Sequence, residues 1–282
     1  MRIMLNRILR RIASGAPILI YQMGKVGSSS IKLSLDRLNR FESYHVHRLN
    51  PDNIARVKRE QERHGWPPRG DLGGLELYER MIRPRRRLRI ITLVREPIGR
   101  SFSYYFESLD KIYRTPDTHA RIPTEQLVRD FPVEFPYSDD PHTWFDYEFK
   151  EVLGIDLYGY ELNMYRGFAE VKTDLYDVLV LRTDAADQTK EEALAKFLGV
   201  ARVPLERANI TIHKAQAQAY SDFRNSIRMV PSYLDRMLGS KYSRHFFDKE
   251  TLAGLRDQYS RTGSIIPDAF LELERGQPER GG

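Results

Sequence analysis

The sequence predicts an α/β protein, with a central, mostly parallel sheet flanked by helices and a helical C-terminal part. Three observations carry this expectation. Short apolar runs suited to strands recur along the chain, in Pro17–Met23, Leu88–Val94 (LRIITLV) and Asp177–Leu181 (DVLVL). Helical periodicity falls between these runs, which is the pattern of strands joined by crossover helices. The long stretch from Lys214 onward carries helical patterning and no comparable strand run.

The elements follow in order. Met1–Ala13 reads as a short helix with Leu5, Ile8, Leu9 and Ile12 on one side and Arg2, Arg7, Arg10 and Arg11 around it. A basic amphipathic helix of this kind can lie on an anionic membrane surface. Pro17–Met23 is the first strand, and Ile31, Leu35 and Leu38 repeat at the spacing of one helix face. Ser43–His47 reads as a second short strand, and Pro51 opens a charged helix to His64 from a first-turn position. A Pro- and Gly-rich loop at Gly65–Gly74 precedes a helix over Leu75–Ile82. After the Leu88–Val94 strand, Pro97 starts a helix running to about Asp110. Lys111–Thr143 holds several prolines and little periodicity, as an insertion or lid would. Trp144–Leu153 is helical and ends at Gly154, and Asp187–Leu198 is a helix stopped by Gly199. A single domain over 1–273 is expected, with 111–143 as its insertion, 200–273 as a helical subregion and 274–282 as a disordered tail.

Bulk properties narrow the function. The 282 residues contain no cysteine, which excludes disulfides, thiolate catalysis and cysteine metal sites. No apolar stretch approaches the ~18 residues of a membrane span. The N-terminus lacks the long apolar core and small-residue cleavage site of a secretory signal. A cytoplasmic protein is the expectation, with Met1–Ala13 either packed on its own domain, the commoner case for such a segment, or in contact with a membrane surface. The net charge of +6 suits an anionic ligand. It does not point to nucleic acid, because the basic residues are scattered apart from Arg83–Arg89 and the N-terminal arm.

The most informative segment is PILIYQMGKVGSSSIKLSLDRLN, from Pro17 to Asn39. It joins a buried strand through a glycine-containing turn to a helix that opens on Ser28, Ser29 and Ser30. Gly24 and Gly27 bracket the turn, and Ser28 is the N-cap candidate. Free first-turn amides, the positive end of the helix, Lys25 and three hydroxyls make an anion site. The nucleotide-triphosphatase loop places its lysine after the last glycine. Here Lys25 precedes Gly27, so that motif and its magnesium logic do not carry over. An ordinary strand-to-helix turn with a capping serine shares the same outline. In an α/β sheet, ligands bind beyond the carboxyl ends of the strands. Arg95 follows the Leu88–Val94 strand directly, and Ser103 sits in the next helix, within REPIGRSFSYYF. An arginine there can grip a second phosphate.

The K-x-G-S-S loop, joined to R-x-P-x-x-R-x-x-S-x-Y after a later strand, resembles the 3′-phosphoadenosine 5′-phosphosulfate (PAPS) sulfotransferases. It is most similar to bacterial members linked to capsular polysaccharide and other carbohydrate sulfation. The resemblance spans roughly Ile18–Gly199 and includes Trp144-Phe-Asp-Tyr-Glu through Gly154-Ile-Asp. It implies a P-loop-like three-layer sandwich. It also implies that Lys25, Gly27, Ser28, Ser29 and Ser30 hold the 5′-phosphosulfate, and that Arg95 and Ser103 hold the 3′-phosphate. Arg207–Tyr220, with Lys214 as a phosphate contact, corresponds to the family's C-terminal nucleotide loop. The implied reaction is transfer of a sulfuryl group from PAPS to an acceptor hydroxyl on a carbohydrate or glycoconjugate, with no metal required.

The acceptor must also lose a proton. His45 and His47 sit at i, i+2 on the short second strand and so share a face. His47, nearer the strand's carboxyl end, is the preferred general base, with His45 as support or alternative. Glu96 is a further candidate base. A third ligand for a metal bound by the two histidines is lacking at any recognisable spacing. Two other functions use the same residues: a nucleotide-dependent phosphotransferase, and a catalytically inactive module that binds a nucleotide or an anionic polymer.

Overall fold

The computed structural model describes residues 15–65, 72–132, 140–206, 214–261 and 265–270. The described residues form two compact units. One comprises those up to Arg95 together with 140–206, and contains the sheet. The other comprises Glu96 to 132 and 214–270, and is helical. The expected helix at Met1–Ala13, residues 66–71, 133–139 and 207–213 of the expected loops, and the Glu274–Gly282 tail lie outside the described residues.

In chain order the elements are β1 (Ile18–Tyr21), α1 (Ser28–Leu38), β2 (Ser43–Val46), α2 (Pro51–Arg63), α3 (Leu72–Leu77) and β3 (Leu88–Val94). The helical unit then contributes α4 (Pro97–Ile112), α5 (Thr118–Arg121) and α6 (Thr124–Arg129). The sheet unit resumes with α7 (Asp140–Trp144), which runs on as a π-helix over Phe145–Leu153. β4 (Phe168–Lys172), β5 (Tyr176–Arg182) and α8 (Asp187–Leu198) complete it. The last helices are α9 (Lys214–Ser226), α10 (Pro231–Leu238), α11 (Lys241–Phe246) and α12 (Lys249–Arg261).

The architecture is the predicted α/β class. Five strands lie in the order β2-β1-β3-β5-β4. β2, β1, β3 and β5 are parallel, with Ile18 opposite both Ser43 and Arg89. β1, β3 and β5 are buried almost throughout, which is why they read as continuous apolar runs rather than alternating ones. β4 pairs antiparallel with β5, Phe168 opposite Leu181. The sequence reading did not foresee β4, because FAEVK has neither a β-branched run nor clean alternation. The arginine run before β3 is used in local ties. Arg83 pairs with Glu79, Arg87 with Asp177, and the Arg89 guanidinium donates to the carbonyls of Ala16 and Leu198.

The strand order fixes where a ligand can sit. From β1 the chain moves to one side to form β2, then returns to the other side to form β3. Such a switch point opens a crevice beyond the carboxyl ends of the two central strands. Here those ends lead into the Gln22–Gly27 loop and into Arg95. Beneath them lies an aromatic core, in which Tyr21 stacks on Phe149 at 5.4 Å and meets Trp144 edge-on at 5.0 Å. The helical unit has its own core. Phe102 of α4 makes edge-to-face contacts with Phe131, Phe223 and Tyr259.

One close backbone approach supports the site from behind. A Cβ added at Gly74 of α3 would lie 2.2 Å from the carbonyl oxygen of Arg48, whereas Gly73 faces open space. Gly74→Ala is expected to cost ~1–3 kcal/mol through overpacking. Gly73→Ala should be neutral or gain about 0.5–1 kcal/mol from helix propensity. Equilibrium denaturation of the two variants checks the contrast.

Candidate functional site

The loop after β1 enters α1 through left-handed backbone. Gly27 is the N-cap with φ 84°, and it makes no side-chain cap bond. The sequence reading put the cap at Ser28. The structure moves it one residue back, because a capping serine needs extended backbone and the chain arrives here in a conformation that suits glycine. Ser28 becomes the first helical residue. Lys25 is also left-handed, with φ 70°. Gly24 is not, and a Cβ there would meet nothing within 4 Å. The turn therefore depends on Gly27 and on a strained Lys25, not on two bracketing glycines. A left-handed non-glycine residue costs roughly 1–2 kcal/mol, so the surroundings must hold it.

Two side chains from neighbouring strand ends hold it. Arg95 Nη1 donates to the Lys25 carbonyl at 3.1 Å. Thr183 Oγ1 lies 2.7 Å from the Val26 carbonyl and 3.0 Å from that of Val94, and its amide donates to Val94 at 2.9 Å. In a planar trans peptide the carbonyl and the following amide point in opposite directions. Tethering the Lys25 and Val26 carbonyls to the strand ends therefore turns the Val26 and Gly27 N–H groups the other way. Those amides join the uncapped first turn of α1, which carries no acidic residue of its own.

The histidines lie on the β2 side of the same loop. Their rings are 5.0 Å apart and nearly perpendicular. Gln22 Nε2, Ser28 Oγ and His45 Nε2 form a triangle with sides of 2.8, 2.8 and 2.9 Å. Burial, followed by the charges of His47 and Lys32, lowers the His45 pKa to about 4. The triangle agrees with this: a proton on His45 Nε2 would face the amide hydrogens of Gln22. His45 is thus a neutral acceptor tied to the loop. His47 differs. Its Nδ1 lies 3.0 Å from the backbone carbonyl of Gln22 and 3.4 Å from the Gln22 side-chain nitrogen, and the nearer carbonyl, which can only accept, favours a proton on Nδ1. A proton there leaves Nε2 as the basic nitrogen. Trp144 Nε1 donates to the His47 carbonyl at 2.8 Å, holding the same residue by its backbone.

The other sequence candidates distribute as follows. Ser29 is exposed and Ser30 half-buried on the first turn of α1. Ser30, Gly27, Thr183 and Lys190 line a cleft of about 190 Å³ between the loop and α8. Ser103 lies on α4 of the helical unit, half-buried. Lys214 is the first residue of α9, and its side chain is outside the described set. Glu96, considered as a base, closes the start of α4 by accepting from the Gly99 amide at 2.7 and 2.9 Å. Among the described residues no group of three or more His, Asp or Glu side chains is arranged to hold a metal ion. No described helix is long and apolar enough to cross a membrane. The sequence reading did not pick out Gln22, Thr183 or Glu148 as site residues. Glu148 lies in the quoted Trp144-Phe-Asp-Tyr-Glu segment, but its partners, like those of Thr183 and the histidine partners of Gln22, are distant in the chain.

The comparisons with known proteins bear on a different part of the chain. Residues 137–248 match the family model NKWYS, described as "Putative capsular polysaccharide synthesis protein". No curated protein and no solved structure matches. The similarity fits a capsular-polysaccharide-related enzyme. It covers Trp144 and the segment behind His47, and does not extend to the Lys25 loop, the histidines or Arg95.

Proposed function

We propose that this chain is a sulfotransferase that moves a sulfuryl group from PAPS to a hydroxyl of a carbohydrate or glycoconjugate. The observation that carries the reading is the meeting of three groups at one sheet edge: the Lys25–Ser30 loop, Arg95 bound to that loop, and His47 with its ring against the Gln22 carbonyl. The capsular polysaccharide similarity supports a glycan acceptor.

The chemistry assigns each group a task. His47 Nε2 takes the proton of the acceptor hydroxyl as its oxygen attacks sulfur in line. The new S–O bond forms as the bond to the bridging 5′-phosphate oxygen breaks, and the leaving 3′-phosphoadenosine 5′-phosphate keeps the electron pair. Lys25, the Val26 and Gly27 amides and the hydroxyls of Ser28–Ser30 stabilise charge on the sulfuryl and 5′-phosphate oxygens. Ser28 contributes less freely than the other two, since its hydroxyl is already engaged by His45 and Gln22. Arg95 is assigned to the 3′-phosphate. As in phosphoryl transfer, positioning and electrostatics dominate, and lysine with backbone amides takes the place of a metal. His45 holds the loop against β2 rather than moving the proton.

Lys25→Ala and Arg95→Ala should each abolish transfer from ³⁵S-labelled PAPS to a panel of polysaccharide and glycolipid acceptors, with circular dichroism unchanged. Full activity in both variants would sink the assignment. Magnesium-dependent ATP turnover would instead support a phosphotransferase. His47→Ala should lower kcat by ~10²–10³-fold with the KM for PAPS little altered. His45 gives a separate, acid-side signature. Its native pKa of about 4 lies below the ordinary 6.5. The native state therefore binds fewer protons than the unfolded chain between those values. Its contribution to stability is complete above about 6.5 and is lost as pH falls toward about 4. Thermal melts across that window should show a steeper loss for the wild type than for His45→Gln, which keeps an acceptor for Ser28. Parallel curves would contradict the neutral, buried His45.

A further inference from the structure

The sheet unit contains a buried carboxylate that the transfer chemistry does not use. Glu148, in the π-helix after α7, is completely inaccessible to solvent. Its Oε2 accepts from the amides of Leu49 at 2.8 Å and Asn50 at 3.0 Å, and from the Tyr21 hydroxyl. Its Oε1 accepts from Asn53 Nδ2. An isolated buried carboxylate would be strongly disfavoured, and these donors compensate its desolvation. Burial still dominates and raises its pKa.

The donors are not a random set. Leu49 and Asn50 lie two and three residues past His47, and Tyr21 is the last residue of β1, directly before Gln22. The same helical segment holds the intervening chain at other points. Trp144 donates to the His47 carbonyl, and Asn50 Nδ2 donates to the Tyr147 carbonyl and to Glu151, each at 2.8 Å. The His47 ring in turn reads the carbonyl of Gln22. One carboxylate therefore ties together the strand end that supplies that carbonyl and the chain that presents the ring.

We infer that Glu148 is a positioning residue for His47, setting its tautomer by fixing the Gln22 carbonyl and the His47–Asn50 backbone relative to each other. The inference rests on His47 as the base of the proposed transfer. It gives Glu148, inside the segment similar to capsular polysaccharide synthesis proteins, a part in the chemistry.

The test uses the full chain with ¹³C,¹⁵N-labelled histidine. The His47 resonances are assigned by their loss in His47→Asn. Glu148→Gln keeps the shape of the side chain but places an amide hydrogen among donors. Trp144→Phe keeps an aromatic ring but removes the bond to the His47 carbonyl together with part of the buried indole. Both variants should bind 3′-phosphoadenosine 5′-phosphate within about twofold of wild type. Both should shift the His47 ¹⁵N signals from a single Nδ1-protonated form toward a mixture of tautomers, more so in Glu148→Gln. Should Glu148→Gln fail to fold, Trp144→Phe carries the test alone. A His47 signature identical to wild type in every folded variant overturns the inference. A shifted signature in a chain that transfers no sulfuryl group to any acceptor would leave the positioning intact and reject the sulfotransferase reading instead.

Discussion

Two carbonyl oxygens in the loop after β1 are held by side chains from neighbouring strand ends, and the rest of the site follows from that restraint. Arg95 takes the Lys25 carbonyl and Thr183 takes that of Val26. Without them the left-handed Lys25 would relax, and the amides beyond it would lose their common direction. The parallel order β2-β1-β3-β5 is what makes the restraint available. It brings the end of β3 beside that of β1 and the end of β5 beside that of β3, although Arg95 and Thr183 are far apart in the chain. Arg95 thus shapes the loop from the end of β3.

His47 is held from two directions in a similar way. Its ring meets the Gln22 carbonyl on the β1 side, and its backbone carbonyl meets Trp144 from the π-helix. His45, one side-chain repeat earlier on the same strand, is drawn into the Ser28–Gln22 triangle and made a neutral acceptor. Two histidines of identical type and neighbouring position thus meet different partners: the Ser28–Gln22 triangle for His45 and the Gln22 carbonyl for His47. Trp144 and Glu148 lie in the matched segment, while the Lys25 loop and Arg95 lie outside it.

Much of this was legible in the sequence where the physics is local. Buried parallel strands announce themselves as apolar runs, Pro51 and Pro97 mark first turns, and Gly199 ends α8. The i, i+2 spacing of His45 and His47 placed both rings on one face, and their rings do meet. The misses have a common cause. Ser28 looked like a cap because its identity fits one, but its hydroxyl has partners on β2 that local pattern does not reveal. Gln22, Thr183, Trp144 and Glu148 act across the sheet, with Glu148 reaching Tyr21 over 127 positions. No spacing rule connects groups so far apart. Strand β4 escaped because its five residues are held by pairing with β5 rather than by their own propensity.

The central claim is that the strand ends read a nucleotide carrying two separate phosphate positions without a metal. Isothermal titration of the full chain with 3′-phosphoadenosine 5′-phosphate in chelator-containing buffer tests it most directly, with adenosine 5′-monophosphate as the comparison. The account predicts saturable binding of the bisphosphate, at least tenfold weaker binding of the monophosphate, and loss of that difference in Arg95→Ala. Absence of binding, equal affinity for both nucleotides, or binding that appears only when magnesium is restored would contradict it.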